Sequence, residues 1–171
     1  PNNAFSNCTA LAEVTISKDS QLVSIGNSAF HNTRLTQIYI PKNVTTIRDS
    51  AFQGTPITLF DMSDVLAKSM TVGTTAINNW YDPTKPADYP AWKDKFKYIY
   101  VSNSGAAKDV KANTNNCNYA FFVTNGGSVD ATKTGFAAVY RAGYTAQWYE
   151  KEDFTGTPVT GTPVTRKTYY V

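Results

Sequence analysis

An apolar pattern that recurs every 22 to 25 residues dominates the first half of the sequence. Phe5, Phe30 and Phe52 each follow an alanine, and Ala76-Ile77 is a weaker copy of the same pair. A large-x-x-large-x-large triplet follows each pair: Leu11, Val14, Ile16; Leu35, Ile38, Ile40; Ile57, Phe60, Met62; and, after a delay in the fourth copy, Phe96, Ile99, Val101. A single copy cannot bury its own apolar face, so the pattern predicts stacked turns that share one continuous core.

The second copy shows what one turn is expected to look like. Polar and apolar residues alternate from Gln37 to Pro41, which predicts a half-buried strand that ends at the proline. Val44 and Ile47 supply a second apolar pair on the return side of the turn. Because a period of about 20–29 residues with this triplet is typical of a leucine-rich solenoid, the predicted fold class is mainly β with short helical or irregular segments.

The repeated Ala-Phe, the Leu-x-x-Val-x-Ile triplet and the following Val-x-x-Ile resemble the leucine-rich repeats of the BspA type, which occur in many bacterial cell-surface proteins. The resemblance extends over about residues 1–112, and its clearest copies are the first two. Residues 96–101 are expected to form the last strand, and residues 104–112 a short helix similar to the family's C-terminal caps. The resemblance implies a surface location and a solenoid domain with a C-terminal cap.

Residues 113–117 are polar and are predicted to be a linker, after which the repeat is expected to end. Apolar and aromatic runs predict strands at residues 119–124, 139–140, 144–149 and 165–171. The order Asn125-Gly126-Gly127, Gly143-Tyr144-Thr145-x-x-Trp148-Tyr149, Asp153-Phe154-x-Gly156-x-Pro158-Val159 and Tyr169-Tyr170-Val171 resembles the B-repeat of internalin-like and Bacteroides surface proteins. That resemblance implies a β-grasp-like module over residues 118–171 that spaces or anchors the solenoid.

An insert between the fourth Ala-Ile pair and its triplet is rich in aromatic residues and proline. Residues 80–95 contain Trp80, Tyr81, Tyr89 and Trp92, together with three prolines. One interpretation is a flap that caps the end of the solenoid, because the open end of a stack of repeats needs a cover. The other is an exposed aromatic platform that binds a sugar or a protein.

The strand positions between the inward-facing residues are expected to point outward, because strand side chains alternate between the two faces of a sheet. One predicted outward row is Glu13, Gln37, Leu59 and Tyr98, and the other is Thr15, Tyr39, Asp61 and Tyr100. Tyrosine is enriched in the hot spots of protein interfaces, so these rows favour protein recognition. The alternative is that the bulky side chains shield the sheet and bind nothing.

Composition and motifs argue against several other functions. The net charge is only +3 and no Lys/Arg cluster occurs, so a nucleic-acid partner has little support. No apolar run reaches the roughly 18 residues of a membrane span. With one histidine and two cysteines, neither a zinc site nor a Ser-His-Asp triad is expected. Cys8 and Cys117 are predicted to be unpaired, with Cys8 turned inward.

The acidic residues do not form a convincing catalytic pair. Asp61 and Asp64 flank a predicted strand end, and residues 150–153 form a solvated charge run in a predicted turn. No phosphate-binding glycine motif and no D-x-D-x-D calcium spacing occur, so no cofactor or metal is expected. The sequence therefore predicts a non-enzymatic surface-binding or adhesion fragment of a longer protein, with a protein partner. Carbohydrate binding through the insert and a purely structural stalk are the alternatives.

Overall fold

The fold was analysed in a computed structural model that describes residues 1–78, 95–115 and 118–171. The strands before the insert are β1 (Ser24–Ile25), β2 (Gln37–Tyr39), β3 (Thr46–Ile47), β4 (Leu59–Met62), β5 (Thr71–Val72) and β6 (Ile77–Asn78). After it come β7 (Lys97–Val101), helix α1 (Ser104–Ala112), β8 (Thr114–Asn115), β9 (Tyr119–Val123), β10 (Ser128–Val129), a 3-10 helix (Gly135–Ala138), β11 (Val139–Tyr140) and β12 (Thr168–Tyr170). This mainly β architecture confirms the coarse fold class.

The repeated Ala-Phe pairs form a ladder that joins one turn to the next. The N–H of Phe5 donates to the carbonyl of Ala29, and the N–H of Phe30 donates to Ala51, both at 2.8 Å. The rings stack in the same direction, with centroids 5.3 Å apart for Phe5 and Phe30 and 5.4 Å apart for Phe30 and Phe52. Each pair therefore packs between turns, as the sequence predicts.

The main sheet has five parallel strands in the order β12-β9-β7-β4-β2. Its register confirms the two rows predicted from the sequence for β2, β4 and β7, but not for Glu13 and Thr15, which lie in no strand. In one row Gln37, Leu59 and Tyr98 are partners, and in the other Tyr39 of β2 and Asp61 of β4 are partners. A second parallel sheet, β1-β3-β5, forms the return side of the turns.

The core between the two sheets is apolar and closely packed. Its most deeply buried members from the repeats include Leu35, Ile38, Ile40, Val44, Ile47, Ala51, Phe52, Ile57, Phe60, Ile99 and Val101. Nearly all of them were predicted from the repeat pattern. Burial of this apolar surface stabilises the stack, because each turn shares its core with its neighbours.

Helix α1 spans the residues that the sequence predicts for it. The side-chain oxygen of Asn103 accepts a hydrogen bond from the N–H of Ala106 at 2.9 Å, which caps the first turn. Ala106 and Val110 are buried against the repeat core. Gly105 lies so close to the carbonyl of Lys68 that a Cβ would sit 1.9 Å from the oxygen, so this position requires glycine.

The first predicted strand is absent from the described structure. Val14 and Ile16 pack against the core as expected, and Glu13 and Thr15 are exposed, but residues 11–16 form no strand. The N–H of Arg34 donates to the carbonyl of Leu11, and no further backbone bond joins this segment to β2. Residues 11–16 therefore lack the strand pairing on both sides that fixes β4 and β7.

The repeat sheet does not end where the sequence predicts. The described part of the predicted linker, residues 113–115, ends helix α1 and forms β8, which pairs with β6. Strand β9 then pairs in parallel with β7 along its whole length. Phe121 faces the repeat core, while Ala120 and Phe122 are buried on the opposite face of the sheet. The sheet is therefore continuous across the predicted boundary.

Residues 128–171 lie against the outer face of the main sheet and build a second apolar cluster there. Its buried members are Leu59, Tyr100, Ala120, Phe122, Ala138, Val139, Trp148 and Tyr169. The indole N–H of Trp148 donates to the carbonyl of Phe136 at 3.1 Å, and β12 pairs in parallel with β9. A β-grasp-like module stays a prediction. In the described residues, no helix is long and apolar enough to cross a membrane.

Candidate functional site

The outer face of the main sheet is the place where the sequence predicts binding. Gln37 is exposed there, and Tyr39, Asp61 and Tyr98 are half-buried. The predicted exposure is wrong for Leu59 and Tyr100, which are 5% and 0% exposed. The Tyr100 side chain cannot meet a partner in this structure, and Leu59 keeps only a small exposed part.

The C-terminal segment causes this difference. The hydroxyl of Tyr100 donates to the buried carbonyl of Gly135 at 3.1 Å, and its ring stacks on Phe122 with centroids 5.0 Å apart. Leu59 is buried in the same cluster, next to the segment that carries Ala138. Apolar surface from residues 128–159 thus removes the middle of the predicted face from water.

The part of the face near β2 stays open and forms a groove of about 440 Å³. One wall is the irregular segment of the first turn, residues 12–16, and the other is the strand Gln37–Tyr39. Leu59 and Asp61 of β4 also line it, and Ala131 borders it from the C-terminal segment. The open groove therefore contains six members of the predicted rows: Glu13, Thr15, Gln37, Tyr39, Leu59 and Asp61.

Tyr39 is held in this groove by charged neighbours. Its hydroxyl donates to Asp64 Oδ2 at 2.8 Å, and Lys18 Nζ lies 3.2 Å from the same oxygen. The Lys18 ammonium is also 5.7 Å from the centre of the Tyr39 ring. Partial burial raises the pKa of Tyr39 well above its ordinary value, and the bond to Asp64 adds to the shift. Tyr39 is therefore a neutral, oriented side chain at any physiological pH.

Asp61 holds the end of β4 through two hydrogen bonds from Ser63. Its Oδ1 accepts from the N–H of Ser63 at 3.0 Å and from the Ser63 hydroxyl at 2.6 Å. Burial raises the pKa of Asp61, while the two hydrogen bonds from Ser63 oppose that rise. The carboxylate closes the turn after the strand, and its remaining oxygen faces the groove region.

The other predicted site lies outside the described residues. This site is the aromatic insert with Trp80, Tyr81, Tyr89 and Trp92, so the choice between a cap and a ligand platform stays open. Cys117 also lies outside the described residues.

Cys8 is unpaired and exposed, so the prediction that it turns inward is wrong. Within residues 1–78, 95–115 and 118–171, no group of three or more His, Cys, Asp or Glu side chains is placed to hold a metal ion.

A second cavity lies in the C-terminal segment, and the sequence analysis missed it. Tyr140, Tyr144, Tyr149 and Phe154 line its sides, in a volume of about 430 Å³. The signal was present as a concentration of aromatic residues at positions 140–154, but the sequence analysis placed Tyr140, Tyr144 and Tyr149 in predicted strands and Phe154 in the B-repeat motif. Three of these side chains are instead exposed.

Comparison with known families supports the first part of the sequence interpretation. Residues 1–78 match the family model described as "BspA type Leucine rich repeat region (6 copies)". The match confirms the leucine-rich-repeat assignment for these residues and stops short of residue 112. No curated protein and no solved structure matches the chain. The similarity of residues 118–171 to a B-repeat stays a prediction.

Proposed function

We propose that this chain is a non-enzymatic binding part of a bacterial cell-surface protein, and that it recognises a protein partner through the open groove beside β2. The observation that carries the proposal is Tyr39, a neutral aromatic side chain that Asp64 orients in a groove lined by both apolar and polar side chains. A fixed tyrosine offers a large contact area at low entropic cost, and such residues often dominate binding energy.

Two further features support protein recognition. Proteins with BspA-type repeats, the family that residues 1–78 match, are typically associated with the cell surface and with adhesion. The groove also places the exposed amide of Gln37 next to the carboxylate of Asp61, so it offers polar groups around an aromatic anchor. An apolar centre with a polar rim is the usual composition of a protein interface.

Surface plasmon resonance on a panel of immobilised extracellular-matrix proteins tests the proposal. We expect Tyr39→Ala to weaken binding to the recognised protein roughly 10- to 30-fold, the loss typical of a hot-spot tyrosine. Tyr39→Phe keeps the ring but loses the bond to Asp64, so it should have a smaller effect. Leu66→Ala is the matched control, because Leu66 is 70% exposed and lies outside the groove.

The result is interpretable only if the variants fold, which their melting temperatures establish. Equal binding by the wild-type chain, Tyr39→Ala and Gln37→Ala would show that the partner does not use the groove. Absence of binding to every protein on the panel, and of adhesion to host cells by bacteria that display the chain, would favour the structural stalk instead.

A further inference from the structure

The cavity in the C-terminal segment is separate from the groove beside β2 and is built from different elements. Residues from the turn after β9, from β11 and from the segment around Tyr149 enclose it. Its lining residues are Thr124, Asn125, Gly127, Val139, Tyr140, Arg141, Tyr144, Thr145, Ala146, Gln147, Tyr149, Phe154 and Val171. None of these residues lines the groove.

Exposed aromatic rings are concentrated at this cavity. Tyr140 is 56% exposed, Tyr144 70% and Phe154 46%. Among the described residues these three are the most exposed large aromatic side chains, ahead of Phe5 at 42%. Single exposed apolar residues are ordinary, but several that share one concavity indicate an interaction site.

The frame that carries the rings is fixed by hydrogen bonds. Tyr149 and Tyr170 exchange two backbone hydrogen bonds, each of 2.8 Å. The Tyr149 ring meets Phe154 edge-on, with centroids 5.8 Å apart. At the opposite end the side-chain N–H of Asn125 donates to the carbonyl of Val171 at 2.9 Å. The cavity therefore has an ordered floor.

Polar groups are interleaved with the rings. The Gln147 side-chain oxygen accepts from the hydroxyl of Tyr149 at 3.2 Å, which leaves its amide N–H groups for a ligand. The Arg141 guanidinium lies 4.8 Å from the centre of the Tyr144 ring and stacks on one side of it. Arg141 is the charged side chain that lines the cavity.

From this combination we propose that the cavity binds a saccharide that carries a carboxylate. The C–H face of a pyranose ring packs on aromatic side chains. The hydroxyl groups of the sugar can form hydrogen bonds with the side-chain amides of Asn125 and Gln147. A purely apolar ligand would take water from the Gln147 amide N–H groups and the Arg141 guanidinium without replacing those hydrogen bonds, which carries a desolvation cost. Because the lining charge is positive, a uronic or similar acidic sugar is favoured over a neutral one.

A glycan array that contains matched neutral and uronic-acid oligosaccharides tests this assignment on the full chain. Tyr144→Ala should reduce binding at least 10-fold, and Tyr144→Phe should retain most of it, because the ring and not the hydroxyl makes the contact. Arg141→Gln should weaken binding of the acidic oligosaccharides more than that of their neutral counterparts. Tyr144 and Arg141 are exposed, so these variants are expected to fold.

Leu66→Ala is the control, because Leu66 is exposed and lies outside both this cavity and the groove beside β2, and it should leave glycan binding unchanged. Four results would overturn the assignment. The chain could bind no oligosaccharide, or its glycan binding could survive Tyr144→Ala. Arg141→Gln could weaken the binding of acidic and neutral oligosaccharides equally, or Trp92→Ala could abolish glycan binding while Tyr144→Ala leaves it unaffected. The last result would place the sugar site in the aromatic insert.

Discussion

Tyr39 and Tyr100 show how far one residue's role depends on contacts that a repeat pattern does not contain. Both occupy the same row of the sheet, as the sequence predicts, and Asp61 lies between them. Tyr39 borders an open groove, whereas Tyr100 is fully buried and donates to the carbonyl of Gly135. The repeat spacing predicts that Tyr39 and Tyr100 lie in one row. Whether Tyr100 is exposed to water depends on the segment around Gly135, which lies 35 positions further along the chain.

The buried hydroxyl of Tyr100 should contribute measurably to stability. In Tyr100→Phe the Gly135 carbonyl loses its donor inside the second apolar cluster, so we expect a loss of about 1–2 kcal/mol in the free energy of unfolding. Urea denaturation followed by fluorescence measures it. Tyr140→Phe is the control, since that side chain is exposed, and it should change stability little. Equal stability of Tyr100→Phe and the wild-type chain would contradict the observed hydrogen bond.

Asp109 of helix α1 should make stability depend on pH on the acid side. Its carboxylate accepts from the N–H of Met70 at 2.8 Å and from the hydroxyl of Ser69 at 2.9 Å. These bonds lower the pKa of Asp109 in the folded chain. The stabilisation is therefore present above the unfolded-state pKa of about 3.9 and is lost as the pH falls through the lower folded value.

Asp109→Asn removes the charge and keeps a hydrogen-bond acceptor. We expect this variant to melt at a lower temperature than the wild-type chain at pH 7, and the difference to shrink as the pH falls towards 3. Melting temperatures across that range provide the measurement. If the difference in melting temperature stays constant with pH, the charge of Asp109 does not contribute to stability.

At the scale of elements, the phenylalanine ladder carries the stack of turns. Phe52 is 2% exposed, stacks on Phe30 and meets Phe60 edge-on, whereas Phe5 at the first turn is 42% exposed. Phe52→Ala should cost about 3–5 kcal/mol in unfolding free energy, the usual range for a buried phenylalanine. Phe5→Ala should cost far less. Chemical denaturation of both variants tests this, and similar losses would mean that the two positions are equally packed.

Among the strands, the repeat periodicity predicts some places in the main sheet and misses others. The shared place of Ile38, Phe60 and Ile99 in the apolar triplet was enough to predict both the inward row and its register, despite the insert before Ile99. Strand β9 contains Ala120-Phe121, but this pair lies inside the strand and no apolar triplet follows it at the repeat spacing, so its place in the sheet was not predicted. It joins the sheet because it is apolar on both faces: Phe121 completes the repeat core, and Phe122 completes the outer cluster.

In the molecule as a whole, the outer face of the main sheet is divided into a covered part and an open part. Residues 128–171 cover the face over β7 and β9, and the part over β2 stays open. The sequence predicted a face open along its full length, because the cover depends on side chains far apart in the chain that share no period. Binding is accordingly proposed at the open end of the sheet and, separately, within the covering segment.

Hydroxyl-radical footprinting of the tyrosines, read by peptide mass spectrometry, tests this division most directly. We predict rapid modification of Tyr144, slower modification of half-buried Tyr39 and none of Tyr100 until the chain unfolds. Modification of Tyr100 in the folded chain as fast as that of Tyr39 would contradict the account, because the C-terminal segment would then not cover the sheet and the whole row would be open to a partner.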